Sequence, residues 1–120
     1  MKVIALRRNP NKSDGDSYCS ATYGSDKESL CRIMRESDYI LATTPLTKET
    51  QGMINEEVLP HAREDAVFIN LGRGAVVDEV ALANALRLKR LKGAALDVFT
   101  VEPLPKTSPF GELENVLISP

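Results

Sequence analysis

Residues 66–99, AVFINLGRGAVVDEVALANALRLKRLKGAALDVF, contain the pattern that decides the fold. The apolar run at 66–70 predicts a buried strand that ends at a glycine-containing loop. Asp78 is placed to cap a helix with leucines and alanines on one face, and Gly93 is expected to end it. A second apolar run at 94–98 predicts the next strand. A strand, a helix and a strand in this order indicate two parallel strands joined by a crossover helix.

The rest of the chain continues the same alternation, which predicts an α/β fold with a parallel sheet. A further helix is expected over 26–36, where Ser25 and Glu28 have the spacing of a capping box. Asn55 is placed to cap a short helix that runs to about His61. The other predicted strands cover residues 3–6, 18–23, 39–42 and 116–118.

Length and composition exclude several classes of protein. The chain has 120 residues, enough for one domain, and its net charge of −2 gives no electrostatic basis for binding nucleic acid or an anionic membrane. No apolar run approaches the roughly 20 residues needed to span a bilayer. Cys19 and Cys31 are too few for a disulfide framework and form no C-x-x-C metal motif. We therefore expect a reduced, cytoplasmic setting and no metal site.

Polar and glycine-rich segments follow four of the predicted strands. In open parallel sheets, ligands bind beyond the carboxyl ends of the strands, so these segments are the candidate site. Together they suggest that a nucleotide and a small anion bind at this edge. The segments are Arg7-Arg8, Thr44-Pro45, Leu71-Gly72-Arg73-Gly74, and residues 97–102.

Three charged residues in these segments are candidates for binding or catalysis. Arg73 lies between two glycines, and a guanidinium can hold a carboxylate through two parallel hydrogen bonds; the alternative is a solvated arginine in a turn. Asp97 falls in an apolar predicted strand, where a charge needs a partner or a function. Glu102 precedes a proline-rich loop that would hold it rigidly; the alternative is a solvated loop glutamate without a function.

Arg7 and Arg8 bear on the choice of cofactor. They follow the first predicted strand, where NAD-binding domains usually place a carboxylate on the ribose hydroxyls. Two cations there favour a 2′-phosphate, so NADP is preferred over NAD; the alternative is an ordinary charged strand end. His61, the single histidine, is expected to be an exposed imidazole without a catalytic role.

Four motifs together resemble the NAD(P)-binding domain of the D-isomer-specific 2-hydroxyacid dehydrogenases. They are TPLT at 44–47, FINLGRGAVVDE at 68–79, GAALDVF at 93–99 with EPLP at 102–105, and NVLISP at 115–120. The resemblance implies hydride transfer between a nicotinamide and C2 of a small 2-hydroxy or 2-oxo acid. It implies that the parent protein is a homodimer, but it does not identify the acid.

The resemblance also implies roles for individual residues. Arg73 matches the arginine that binds the substrate carboxylate, and Glu102 matches the carboxylate that hydrogen-bonds the catalytic histidine. Asp97 matches a residue that contacts the nicotinamide carboxamide. Positions matching cofactor contacts are Thr44 with Pro45, Leu71, Gly72, and the cations Arg7 and Arg8. We expect Arg73 and Glu102 to face a shared cleft.

The chain departs from the family pattern at both ends. The resemblance implies a glycine-rich loop with a first βα unit, a histidine directly after Pro120 and a substrate domain, and residues 1–120 do not contain them. Residues 1–120 are therefore expected to be an incomplete Rossmann-type domain, inactive alone, whose strands 3–6 and 39–42 border a gap. Two alternatives stay open: a nucleotide-dependent dimerisation module of the corepressor type, and a truncated product without function.

Overall fold

Parallel strands organise residues 1–8 and 18–119, the part of the chain that the computed structural model describes. The strands are β1 (Ile4–Leu6), β2 (Ala21–Tyr23), β3 (Tyr39–Ala42), β4 (Val67–Asn70), β5 (Gly93–Leu96) and β6 (Val116–Ile118). The α-helices are α1 (Lys27–Glu36) and α2 (Glu79–Arg87), and short 3-10 helices cover Leu59–His61, Gly74–Val76 and Pro109–Glu112. The α/β class predicted from the sequence is confirmed.

The strands form two sheets, in the orders β1-β2 and β3-β4-β5-β6, and all described pairs are parallel. A cavity of about 690 Å³ separates β1 from β3 and is lined by both strands and by α1. The guanidinium of Arg8, after β1, lies 3.9 Å from the carboxylate of Glu49, after β3. The carboxyl ends of β1 and β3 therefore face the same edge, and the sheet is interrupted where the sequence predicted a gap.

Side-chain caps fix where both helices begin. Asp26 accepts a hydrogen bond from the Ser29 amide at 3.0 Å and caps α1, so the prediction of a Ser25 cap is wrong by one residue. The predicted Asp78 cap is confirmed, since its carboxylate accepts from the Ala81 amide at 3.1 Å. A carboxylate suits this position because it satisfies free amides and complements the positive end of the helix dipole.

Several element boundaries differ from the prediction. Helix α2 ends at Arg87, not near Gly93, because Lys89 adopts a left-handed conformation with φ of 57°, and Gly93 begins β5. Strand β5 ends at Leu96, so residues 97–98 lie outside the sheet. Asn55 accepts hydrogen bonds from two following amides, as a cap would, but the helical part is only the 3-10 turn Leu59–His61.

The core lies between the four-stranded sheet and the helices. Its largest fully buried side chains include Phe68 of β4, Met34 of α1, and Leu82 and Leu86 of α2. Burying such residues stabilises the fold by roughly 1.5–3 kcal/mol per side chain. This packing holds the helices against the sheet, and the sheet in turn positions the loops that follow its strands. None of the described helices is long and apolar enough to cross a membrane.

Candidate functional site

Three successive loops begin side by side at the carboxyl edge of the four-stranded sheet. The Leu71 amide donates to the Ala42 carbonyl at 3.0 Å, and the Asp97 amide donates to the Asn70 carbonyl at 3.1 Å. Backbone pairing thus continues one residue beyond β4 and β5. The loops after these strands consequently meet at one edge, as the sequence predicted.

Gly72 lets the loop after β4 contact the loop after β3. A Cβ atom on Gly72 would lie 2.9 Å from the Thr44 carbonyl oxygen and 3.2 Å from the Thr43 carbonyl carbon. Both neighbours are backbone atoms, which cannot move aside as a flexible side chain can. The close approach of the two loops therefore requires a glycine at this position.

Gly74 makes the equivalent contact on the other side, with the loop after β5. A Cβ atom on Gly74 would lie 2.0 Å from the Phe99 carbonyl carbon and 2.4 Å from the Thr100 amide nitrogen. Arg73 is thus flanked by two glycines, each in contact with a different neighbouring loop. This arrangement fixes the backbone of Arg73 from both sides.

The Arg73 side chain itself is exposed. Its Nη1 donates to the Gly72 carbonyl at 3.4 Å, which is long for a hydrogen bond, and no ion pair to Arg73 occurs among the described residues. The guanidinium therefore presents donors to solvent from a constrained backbone. Such a group is suited to bind an incoming carboxylate.

Asn70, which the sequence prediction did not single out, braces this loop from inside. Its side chain is 2% exposed; Oδ1 accepts from the Gly72 amide at 3.1 Å, and Nδ2 donates to the Arg73 carbonyl at 3.3 Å. The signal was present in the sequence, because an amide that ends an apolar strand has a polar group to satisfy.

Glu102 is exposed, and it accepts a hydrogen bond from the Phe99 amide at 2.9 Å. Glu79, another residue that the prediction missed, accepts from the Thr100 amide at 3.2 Å. Two carboxylates therefore hold the backbone segment that Gly74 contacts. Arg73 and Glu102 lie on adjoining loops at the same edge, while the cleft that they share stays a prediction.

The predicted cofactor contacts lie along the same edge with different exposures. Thr44 Oγ1 is buried and has no hydrogen-bond partner among the described residues, so it can donate to or accept from a ligand beside the Gly72 contact. Leu71 is 53% exposed. Pro45 accepts from the Thr50 hydroxyl at 2.7 Å through its carbonyl, which closes the turn after β3.

Asp97 does not occupy the environment that the sequence suggested. It follows the last residue of β5 and its side chain is exposed, so the argument from a buried unpaired charge does not apply. Its position at the carboxyl edge, directly after the strand, is as predicted. A role for Asp97 depends on that position alone.

Arg7 and Arg8 lie on the other side of the cavity, after β1, and both are exposed. The Arg7 amide donates to the Tyr23 carbonyl at 2.9 Å, which extends the β1-β2 pairing. The pKa of Glu49 is lowered, chiefly by a backbone hydrogen bond and by the Thr47 hydroxyl, with the charge of Arg8 adding to the effect.

A second cleft adjoins the loops after β4 and β5, where Ala75 and Thr100 line it, and the single histidine precedes β4. This cleft, of about 660 Å³, is also lined by residues including Glu56, Glu57, Asp78 and Glu79, and its negative charge does not suit a carboxylate ligand. His61 is exposed and lies with Nδ1 3.3 Å from Arg35 Nη1. Within the described ranges, no three His, Cys, Asp or Glu side chains are grouped to hold a metal.

The chain is similar in sequence to known proteins. The family model for the D-isomer specific 2-hydroxyacid dehydrogenase, NAD binding domain, matches residues 1–120. The glyoxylate/hydroxypyruvate reductase B of Pectobacterium carotovorum is 49% identical over 91 residues, covering 76% of the chain and 28% of that protein. The Yersinia enterocolitica reductase of the same name is 38% identical over 120 residues, 100% of the chain and 35% of that protein.

A solved structure has the same fold. The D-isomer specific 2-hydroxyacid dehydrogenase from Xanthobacter autotrophicus Py2, in complex with NADPH and MES, superposes with a TM-score of 0.81 at 33% identity, covering 100% of the chain and 57% of that structure. The chain spans about a third of the two reductases. Its Rossmann-like fold and its sequence agree, and the chain belongs to the NAD-binding domain family of the D-isomer specific 2-hydroxyacid dehydrogenases.

Proposed function

We propose that the chain forms the nicotinamide-nucleotide-binding part of an oxidoreductase that transfers a hydride between the cofactor and C2 of a small 2-hydroxy or 2-oxo acid. The observation that carries this proposal is the position of Arg73. Its backbone is fixed by Gly72 and Gly74 against two neighbouring loops, while its guanidinium is exposed at the ligand-binding edge. A fixed backbone with a free cation is what binding of a substrate carboxylate requires.

The residues beside Arg73 fit a nicotinamide nucleotide. Thr44 offers a hydroxyl that has no partner among the described residues, Gly72 lets the backbone approach a ligand closely, and Leu71 offers an exposed apolar surface. We assign Pro45 and Asp97 to the same contact region, Asp97 toward the carboxamide. The cofactor, when bound, supplies or accepts the hydride.

Arg73 and Glu102 are the proposed catalytic residues of this chain. Arg73 would bind the substrate carboxylate through its guanidinium and polarise the keto oxygen as hydride is added at C2. Glu102 would orient an imidazole that protonates that oxygen and that comes from outside these 120 residues. The anchored loop containing Glu102 supports this role, because its backbone is already held at Phe99 and Thr100.

The charges after β1 support NADP as the preferred cofactor. Arg7 and Arg8 are both exposed where the ribose of a dinucleotide would lie, and cations there suit a 2′-phosphate. The related Xanthobacter structure contains NADPH. The relatives are named as reductases of glyoxylate and hydroxypyruvate, both small 2-oxo acids, and we assign this substrate class to the complete protein. We also propose that the complete protein is a homodimer in the cytoplasm.

A chimera tests the proposal. Residues 1–120 replace the aligned 120 residues of the Yersinia enterocolitica reductase, and oxidation of NADPH by glyoxylate or hydroxypyruvate is followed by absorbance. We expect turnover within about tenfold of the unmodified reductase. The 120-residue chain alone is the negative control, because its single histidine, His61, lies away from the proposed site. A folded chimera that binds NADPH but reduces neither acid would refute the assignment.

A further inference from the structure

The side chain of Asn70 is the one almost fully buried polar side chain in the ranges 1–8 and 18–119, with 2% of the residue exposed. Burying an amide costs free energy unless both its donor and its acceptor are satisfied. Such a group at the end of a central strand has a structural or functional reason to be there. Its partners identify that reason.

Both ends of the Asn70 carboxamide bind the backbone of the loop that contains Arg73. Oδ1 accepts from the Gly72 amide at 3.1 Å, and Nδ2 donates to the Arg73 carbonyl at 3.3 Å. The orientation of the carboxamide is determined, because an amide hydrogen requires the oxygen and a carbonyl requires the nitrogen. The side chain thus holds the residues on either side of the peptide bond that joins Gly72 to Arg73.

The backbone of Asn70 is itself held on both sides. In the sheet it is aligned with Ala42 of β3 and Leu96 of β5, and its carbonyl accepts from the Asp97 amide at 3.1 Å. The carboxamide therefore links a rigid point inside the sheet to an exposed loop. Among the described residues, in contrast, the side chain of Arg73 makes a single hydrogen bond, the 3.4 Å contact to the Gly72 carbonyl.

We propose that Asn70 is a positioning residue: its buried carboxamide fixes the backbone of Gly72 and Arg73, and thereby aims the Arg73 guanidinium at the substrate carboxylate. This inference rests on the proposed function of Arg73. Displacing a substrate-binding group by about 1 Å can reduce the rate 10²-fold, so losing the carboxamide should impair substrate binding by Arg73 more than cofactor binding, in which Gly72 is one of several proposed contacts.

Two substitutions in the chimera test this role. Asn70→Ala removes both hydrogen bonds, while Asn70→Asp keeps an acceptor for Gly72 but places an oxygen against the Arg73 carbonyl. The matched control is Asn115→Ala, because the Asn115 amide also donates to a backbone carbonyl, that of Leu86, at 3.0 Å, and Asn115 precedes β6 at the opposite edge of the parallel sheet from Arg73. Each variant is compared by its KM for glyoxylate, its KM for NADPH and its thermal midpoint.

We expect both Asn70 variants to raise the KM for glyoxylate about tenfold or more and to raise the KM for NADPH less, because Gly72 is one of several proposed cofactor contacts. Asn115→Ala should lower the thermal midpoint while leaving both KM values unchanged. The positioning role is overturned if Asn70→Ala lowers stability as Asn115→Ala does and leaves the KM for glyoxylate unaltered.

A second measurement does not depend on turnover. Hydrogen exchange of a peptide containing residues 71–74, followed by mass spectrometry, should be about tenfold faster in both Asn70 variants than in Asn115→Ala. An unsubstituted chimera without activity would reject the proposed function, whereas unchanged exchange in the Asn70 variants would reject the positioning role itself.

Discussion

Gly74 lies against the backbone of Phe99, so close that a Cβ on Gly74 would be 2.0 Å from the Phe99 carbonyl carbon. The Phe99 amide is in turn held by Glu102 at 2.9 Å. The two proposed catalytic residues, Arg73 and Glu102, are therefore connected through a Gly74–Phe99 contact, which makes their relative position depend on a residue that bears no functional group.

We expect Gly74→Ala to destabilise the chimera by about 3 kcal/mol, since extra atoms in a close-packed contact force the backbone apart. Activity should fall as well, because the loops of Arg73 and Glu102 separate. Gly111→Ala is the matched control, with no atom within 4 Å of its added Cβ, and should change stability by less than about 0.5 kcal/mol. Urea unfolding measures the stability of both variants. If Gly74→Ala were as stable as Gly111→Ala, the close contact between Gly74 and Phe99 would be disproved.

Arg73→Lys keeps the positive charge but loses the planar fork of donors. If the guanidinium binds the substrate carboxylate, kcat/KM for glyoxylate in the chimera should fall about 100-fold, the loss typical of a charged hydrogen bond. Added guanidinium ion should partly restore the activity of Arg73→Ala. Arg87→Lys, at an exposed arginine of α2, should have no effect. A KM for glyoxylate that Arg73→Lys leaves unchanged would argue against substrate binding.

Charge after β1 should control the preference between the two cofactors. Arg8→Ala should raise the KM for NADPH about tenfold and leave that for NADH nearly unchanged, because only NADPH carries the 2′-phosphate. Glu49 lies 3.9 Å from Arg8, so Glu49→Gln should have the opposite, smaller effect and tighten NADPH binding. Equal responses of both cofactors to Arg8→Ala would show that this arginine does not contact the phosphate.

Most of the sheet could be predicted from the sequence because buried parallel strands are short, continuous apolar runs. Their length and their lack of helical periodicity distinguish them from helices. Strand β3 was predicted to the residue, while the end of β5 was predicted two residues too late, because Val98 continues the apolar run although the strand ends at Leu96. Apolar character alone does not report where hydrogen bonding to the neighbouring strand stops. The same limitation produced the mistaken expectation that Asp97 is buried.

The site was predictable where it depends on residue type and position after a strand, as for Arg73 and Thr44. It was not predictable where it depends on tertiary contact. Glu79 binds the Thr100 amide, 21 residues away in sequence, and the separate demands on Gly72 and Gly74 come from loops about 25 to 28 residues away. No local pattern encodes such distances.

The α1 cap should give stability a measurable dependence on pH. The Ser29 hydroxyl, and then the Ser29 amide, lower the pKa of Asp26 below its ordinary value of 3.8. A carboxyl whose pKa is lowered in the folded state stabilises the fold at any pH above its unfolded-state pKa. This contribution to stability is lost as the pH falls through the folded-state pKa. Asp26→Asn keeps a capping oxygen without the titration, so its thermal midpoint should fall less between about pH 5 and pH 3. Parallel losses in both proteins would exclude a contribution from Asp26.

The interruption of the sheet predicts self-association of the isolated 120-residue chain. Within the described residues, β1 pairs only with β2 and β3 only with β4, and Leu41 of β3 is 56% exposed. Open strand edges with apolar side chains pair with other chains, and a lysine at such an edge opposes this. We expect sedimentation to show oligomers that Leu41→Lys reduces. Val80→Lys, at a 66% exposed site on α2, should leave them unchanged. A monomer that melts cooperatively at high temperature would mean that the chain satisfies these edges by itself.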